Sequence, residues 1–262
     1  MEKVQVFLTD WQVLFREGIH FTLSGEEDFE VVGEATNNEE ALNFIEKNPP
    51  GVAIFNVDRG KPTGIEITRR IKQNLPSVSV ILIMDSENEE QLFSALKCGA
   101  SACLTKDVDP DELVSTIRKV VQGANPISEA LLKPEIASRV IDEFETFSLI
   151  GEEVDNLLAR PSSSEGDILR HIADGDSIEQ ITQAMGINEK TVRRHLDLVL
   201  TKLVANEHNR DVIEVAQSHL PPIVSRARSG KLAEEYVTKA EFAAFKQSIT
   251  ERLKSLFTGE LS

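Results

Sequence analysis

The stretch VAIFNVDRGKPTGIE, running from Val52 to Glu66, decides the fold. Val52–Val57 is apolar apart from Asn56, the pattern of a strand covered on both faces of its sheet. Helical spacing follows over Ile65–Gln73. Outward from this unit the same alternation repeats. Upstream, Val4–Thr9 is a short apolar run that ends in a polar turn, Asp10-Trp11-Gln12, before a helix through Leu14, Ile19 and Leu23. Val31–Gly33 reads as a second strand, and Asn38–Lys47 as a helix with Ala41, Leu42 and Ile45 on one face. Downstream, Val78–Met84, Glu89–Cys98, Ala102–Thr105 and Asp111–Gln122 complete five strand–helix units. Such a repeat predicts an α/β domain with a doubly wound, five-stranded parallel sheet over residues 1–125. Chemistry in that architecture gathers at the carboxyl ends of the strands. Asp10, Asn56, Ile83 and Lys106 are therefore the candidate site residues, with Trp11 beside the first.

The chain has 262 residues, room for two ordinary domains that each bury a core. Its apolar content of 40% and charged content of 27% suit a water-soluble globular protein. No apolar run approaches the roughly 20 residues that span a bilayer. The N-terminus opens directly on a strand-like run, so a cytoplasmic location is expected. Cys98 and Cys103 lack neighbours at metal-ligand spacing and cannot build a disulfide framework. Packing roles are expected for both, with no metal site and no cofactor. No hydrolase, transferase or redox constellation is present, which argues against an enzyme.

A formal net charge of −16 excludes indiscriminate nucleic-acid binding, because phosphate contacts need Lys and Arg. The charge is uneven, however. Residues 1–125 hold 12 basic and 21 acidic side chains, a net of −9. Residues 189–203 hold Lys190, Arg193, Arg194 and Lys202 against Glu189 and Asp197, a net of +2. One C-terminal helix can approach DNA while the N-terminal domain repels it.

Residues 126–160 connect the domains, and Ile136, Val140, Phe144 and Phe147 within them recur at helical spacing. That apolar face is expected to pack on the N-terminal domain or on a second copy of itself. Ser162 and Glu165 form a capping-box pattern that opens a helix through Ile168, Leu169 and Ile172, which stops at Asp174-Gly175. Ile178, Ile181 and Met185 mark a short second helix ended by Gly186, and Asn188 caps a third. Two helices joined by a short Gly-containing turn, the second with a basic face, form the helix-turn-helix signature over residues 161–217. In the third helix Val192, Leu196, Val199 and Leu203 should face the core. Lys190, Thr191, Arg193, Arg194, Asp197 and Lys202 are the candidate DNA contacts, with His195 either at phosphate or packed.

The resemblance to a known family is specific. Leu14-Phe15-Arg16-Glu17-Gly18, Gly64-Ile65-Glu66, and Gly99-Ala100-Ser101 before Leu104-Thr105-Lys106-Asp107 resemble the receiver domain of response regulators. The run Asp176–Leu203 resembles the LuxR-type helix-turn-helix that accompanies one branch of them. That family phosphorylates an Asp at the end of strand three. It holds Mg²⁺ with acidic residues after strand one, and contacts the phosphoryl group through a Ser or Thr after strand four and a Lys after strand five. The resemblance puts Asn56 at the acceptor position, Trp11 at one acidic position, Ile83 at the hydroxyl position and Cys103 at an aromatic one. An amide is not a nucleophile, and an indole offers Mg²⁺ no oxygen. Asp58, two residues on, is disfavoured as acceptor because the Asn56–Gly64 spacing matches the family loop. Only Asp10 and Lys106 remain of the pocket. It is either a scaffold whose polar groups satisfy each other or a redesigned ligand site with Trp11 at its mouth.

The expected protein is a sequence-specific transcription regulator with a degenerate receiver, independent of aspartyl phosphorylation. Residues 160–217 carry 7 basic and 10 acidic side chains, so one domain alone binds weakly, and a dimer on two half-sites is expected to supply affinity. Past Leu203 the sequence departs from the family pattern, being longer and more acidic. Residues 218–262 add a linker and an amphipathic helix whose stripe Phe242, Phe245, Ile249, Leu253 and Leu256 is a candidate dimer or partner surface. It lacks a Lys/Arg-rich face, so membrane binding is not expected. The alternatives are an adaptor whose receiver and tail bind protein partners, and a ligand-gated regulator.

Overall fold

The computed structural model describes residues 3–57, 61–148 and 158–219. All of these lie in one compact unit, Met1–His219. Five strands, β1 (Val4–Thr9), β2 (Phe29–Ala35), β3 (Val52–Asn56), β4 (Ser79–Met84) and β5 (Ala102–Thr105), alternate with five helices. The helices are α1 (Val13–Ser24), α2 (Asn38–Lys47), α3 (Gly64–Asn74), α4 (Glu89–Cys98) and α5 (Pro110–Val121). The strands form one parallel sheet in the order β2-β1-β3-β4-β5, the doubly wound arrangement expected from the alternation. Strand β2 is longer than its apolar core suggested, because it lies at the sheet edge and carries polar Glu30 and Glu34.

Alternate residues of the strands face opposite layers. Val6, Leu8, Ile54, Ile81, Ile83, Ala102 and Leu104 pack with Ile19, Leu23, Leu113 and Ile117 of α1 and α5. Phe7, Ala53, Phe55, Val80, Leu82 and Met84 face α2, α3 and α4. Helix α3 begins on a capping box between Thr63 and Glu66. Its first residue must be glycine, since a Cβ on Gly64 would stand 2.2 Å from the Asn56 carbonyl oxygen.

A short 3₁₀ segment (Pro126–Leu132) and helix α6 (Pro134–Ser148) lead to α7 (Ser163–Ala173), α8 (Ile178–Met185) and α9 (Glu189–His219). The described part of the connecting helix's apolar face is covered within the chain, and the Phe147 side chain lies outside the described residues. Ile136, Ala137 and Val140 are buried, and α6 packs on α7 within the chain. The two domains do not bury separate cores, as the length had suggested. The apolar cluster on the α2–α4 side of the sheet continues through Ile127, Leu131, Ile136 and Val140 to Ile168, Leu169, Ile181, Val192, Leu196 and Leu203.

Capping boxes open α7, from Ser162 to Glu165, and α8, from Ser177 to Gln180. Gly186 ends α8 at φ 66°, a left-handed conformation that glycine adopts without strain. Helix α9 runs for 31 residues, about 46 Å, straight past Leu203. Neither Gly nor Pro occurs between Glu189 and His219, so nothing in the sequence breaks it.

Candidate functional site

The alternation of side chains sets the chemistry at the strand ends. One row of β1, β3, β4 and β5 reads Val6-Leu8-Asp10, Ile54-Asn56, Ile81-Ile83-Asp85 and Leu104-Lys106, so each apolar row is crowned by one polar residue. Those four polar groups meet. Lys106 Nζ lies 2.8 Å from Asp85 Oδ1, 3.3 Å from Asp10 Oδ2 and 2.9 Å from Gln12 Oε1. The Asn56 amide donates to Asp85 Oδ1 at 3.2 Å and to Asp10 Oδ2 at 3.5 Å. Asp10 is buried and its other oxygen accepts from the Gln12 amide at 2.7 Å. The aromatic rings of Trp11 and Phe15 stand 5.5 and 5.3 Å from the Lys106 ammonium.

Asp10, Asn56, Lys106 and Trp11 thus come together as the sequence placed them, but Ile83 does not reach the cluster. Its side chain is in the core beneath, on the face of the sheet that α1 and α5 cover. Asp85, two residues further along the same row, occupies the cluster instead. The signal that finds it is the period of two, extended one step beyond the last strand residue. Cys103 faces the other layer, where burial pushes its thiol up to about 12, as it does for Cys98. Asp58 lies outside the described residues.

The cluster does not suit Mg²⁺. The ion needs hard oxygen ligands, yet Trp11 supplies none, and an ammonium already sits between the Asp10 and Asp85 carboxylates. Among the described residues no group of three or more His, Cys, Asp and Glu side chains is arranged to hold a metal.

The second site is the outer face of α9. Asn188 Oδ1 caps the helix by accepting from the Thr191 amide at 2.9 Å and its hydroxyl at 3.0 Å. Val192, Leu196, Val199 and Leu203 face inward, as their spacing indicated. Lys190, Arg194, Asp197 and Thr201 are exposed on the opposite side. Arg193 is drawn to Glu189 at 2.9 Å and to Glu129 of the 3₁₀ segment at 3.3 Å. His195 turns partly inward, its Nδ1 buried without a partner among the described residues. Lys202 is held at 2.6 Å by the buried carboxylate of Glu165. Burial alone would raise the Glu165 carboxyl, but Lys202 and the Ser162 amide outweigh it and hold the group below its ordinary value. The stripe Phe242, Phe245, Ile249, Leu253 and Leu256 lies outside the described residues.

A doubly wound receiver-like domain joined to a helix-turn-helix defines a class, the receiver-bearing DNA-binding regulators. Residues 6–118 match the response regulator receiver domain, and residues 162–215 match the bacterial regulatory proteins of the luxR family. The transcriptional regulatory protein DegU of Brevibacillus brevis is 31% identical, over 81% of this chain and 92% of DegU. The chain belongs to the LuxR-family response regulators, transcription factors of two-component systems that bind DNA and are not enzymes. The response regulator VraR of Staphylococcus aureus is 26% identical, over 83% of this chain and 98% of VraR. The receiver domain of NarL from Mycobacterium tuberculosis shares 30% identity with a TM-score of 0.46, over 47% of this chain and 99% of that one. No helix among the described residues is long and apolar enough to cross a membrane.

Proposed function

We propose that this regulator works without phosphoryl transfer to its receiver and reads DNA as a dimer in the cytoplasm. Residues 1–125 are the degenerate receiver, 126–160 the connection, 161–217 the DNA-binding domain, and 218–262 an appended linker and helix. The observation that carries the reading is Asn56 at the end of β3, where its amide donates to Asp85 and Asp10. An amide cannot form an acyl phosphate, and Lys106 is already committed to the two carboxylates. Arg193, Arg194, Lys190 and Thr191 are the contacts we assign to DNA.

Dimerisation is supported by the weak basic balance of the single DNA-binding domain and by α1, whose Leu14 and Phe21 are 88% and 83% exposed. The test is incubation of the full chain with acetyl phosphate and Mg²⁺, read by intact mass, followed by in-vitro selection of DNA without phosphodonor. No phosphoryl adduct and enrichment of a two-fold-symmetric site are expected. A stable adduct, on Asp58 or elsewhere, overturns phosphorylation independence. Failure to enrich any sequence points instead to a protein-binding adaptor.

A further inference from the structure

The outer face of α9 is not uniformly basic, since Asp197 stands on it without a partner among the described residues. Lys190, Arg194, Asp197 and Thr201 follow one another by four, three and four residues and form a single exposed stripe opposite the core. Two further cations of the helix are engaged, Arg193 by Glu189 and Glu129 and Lys202 by Glu165. Among the described residues neither Lys190 nor Arg194 makes a side-chain hydrogen bond or ion pair, and the Asp197 carboxylate has no partner either. Arg193 and Arg194 lie four and three residues before Asp197, the spacings at which helical ion pairs form, and still do not pair with it. The Thr201 hydroxyl goes to the Asp197 carbonyl at 2.9 Å, leaving the carboxylate open.

We propose that Asp197 reads cytosine, its carboxylate accepting from the exocyclic amine in the major groove while Arg194, one turn earlier, serves the neighbouring guanine. The proposal rests on the DNA-binding reading above and names what that face selects. A free carboxylate on a groove-facing helix is repelled by phosphate. This chain has little attraction to spare, with 7 basic and 10 acidic side chains over residues 160–217. Only a base-edge donor offsets that repulsion. Adenine offers its amine beside the N7 acceptor, which repels a carboxylate, whereas cytosine offers the donor alone. Guanine presents two acceptors that match the guanidinium fork of Arg194. An Arg and an Asp one turn apart therefore complement a G·C step and discriminate against A·T.

The experiment is parallel in-vitro selection with the full-length protein, Asp197→Ala and Asp197→Asn, with affinities for a scrambled duplex measured at matched salt. Thermal melts confirm folding, which an exposed side chain leaves intact. The wild type is expected to prefer cytosine at one position of each half-site, by roughly 5- to 100-fold. Asp197→Ala should lose that preference while binding scrambled DNA at least as well, and Asp197→Asn should move the preference toward adenine. An Asp197→Ala variant that tightens on all sequences with unchanged base preferences overturns the proposal, while leaving the DNA-binding reading intact. A wild type that enriches no sequence overturns both.

Discussion

Asp10, Asn56, Asp85 and Lys106 are polar because each sits one step past the end of an apolar row. Three of them were legible from the strand ends alone. Asp85 was not, because it lies outside the apolar run that marks β4, and only the sheet brings it to Asn56 and Lys106. The cluster also predicts which member matters most for stability. Asp10 is 4% exposed and Asp85 half-exposed, with a side chain 43% accessible. Lys106→Met strips the buried Asp10 carboxylate of its one cationic partner among the described residues, and is expected to cost about 2 kcal/mol in urea unfolding at unchanged m-value. Asp85→Ala is expected to cost less than about 1 kcal/mol, because solvent screens that end of the pair. Equal losses for the two variants would contradict the geometry.

Among the elements, α7 and α9 are tied by one ion pair that the sequence had offered to DNA. Glu165 closes the capping box with Ser162 and also holds Lys202, so a residue singled out for a cap is also an anchor of the last helix. Its carboxyl titrates below the usual 4.5 in the folded protein. The sign follows from linkage: the pair contributes in full above that ordinary value and fades as pH falls through the lower folded one. Urea midpoints are therefore expected to drop between neutral pH and pH values below about 4.5 in the wild type. Glu165→Gln keeps the amide-accepting oxygen of the cap, costs about 1 kcal/mol at neutral pH, and flattens that acid limb. An acid limb unchanged in Glu165→Gln would assign it to other carboxylates. Capping residues are legible because they act on their own neighbours in sequence. The partner of Lys202 is 37 positions away and was not.

At the scale of the whole molecule, the receiver and the helix-turn-helix share one apolar cluster and a buried charged seam. Glu207 of α9 lies 2.6 Å from Arg69 of α3 and 3.2 Å from Lys97 of α4, and Lys97 reaches Glu143 of α6 at 2.5 Å. Gly99, at φ 84°, closes α4 beside Val204, where a Cβ would stand 3.3 Å from the valine methyl. Asn206 adds two bonds to the Ala159 backbone, at 2.7 and 3.0 Å. The unit is expected to unfold in a single transition. Glu207→Ala leaves two cations without their shared carboxylate, a loss of about 3 kcal/mol, and native-state hydrogen exchange should then quicken in α9 before the central strands. Uniform quickening of α9 and β3 would show instead that the seam stabilises both parts alike.

The sequence alone determined the five-stranded parallel sheet, the three helices of the DNA-binding domain with most of their caps, and the amide at the end of β3. These depend on periodicity and on contacts a few residues apart, which a linear text displays. The tertiary structure decided that Asp85 rather than Ile83 completes the strand-end cluster, and that Lys202 serves Glu165. It also decided that α9 continues past Leu203 to rest on α4. Each of these joins residues far apart in the chain, and burial and charge pairing at that distance come into being only when the layers pack.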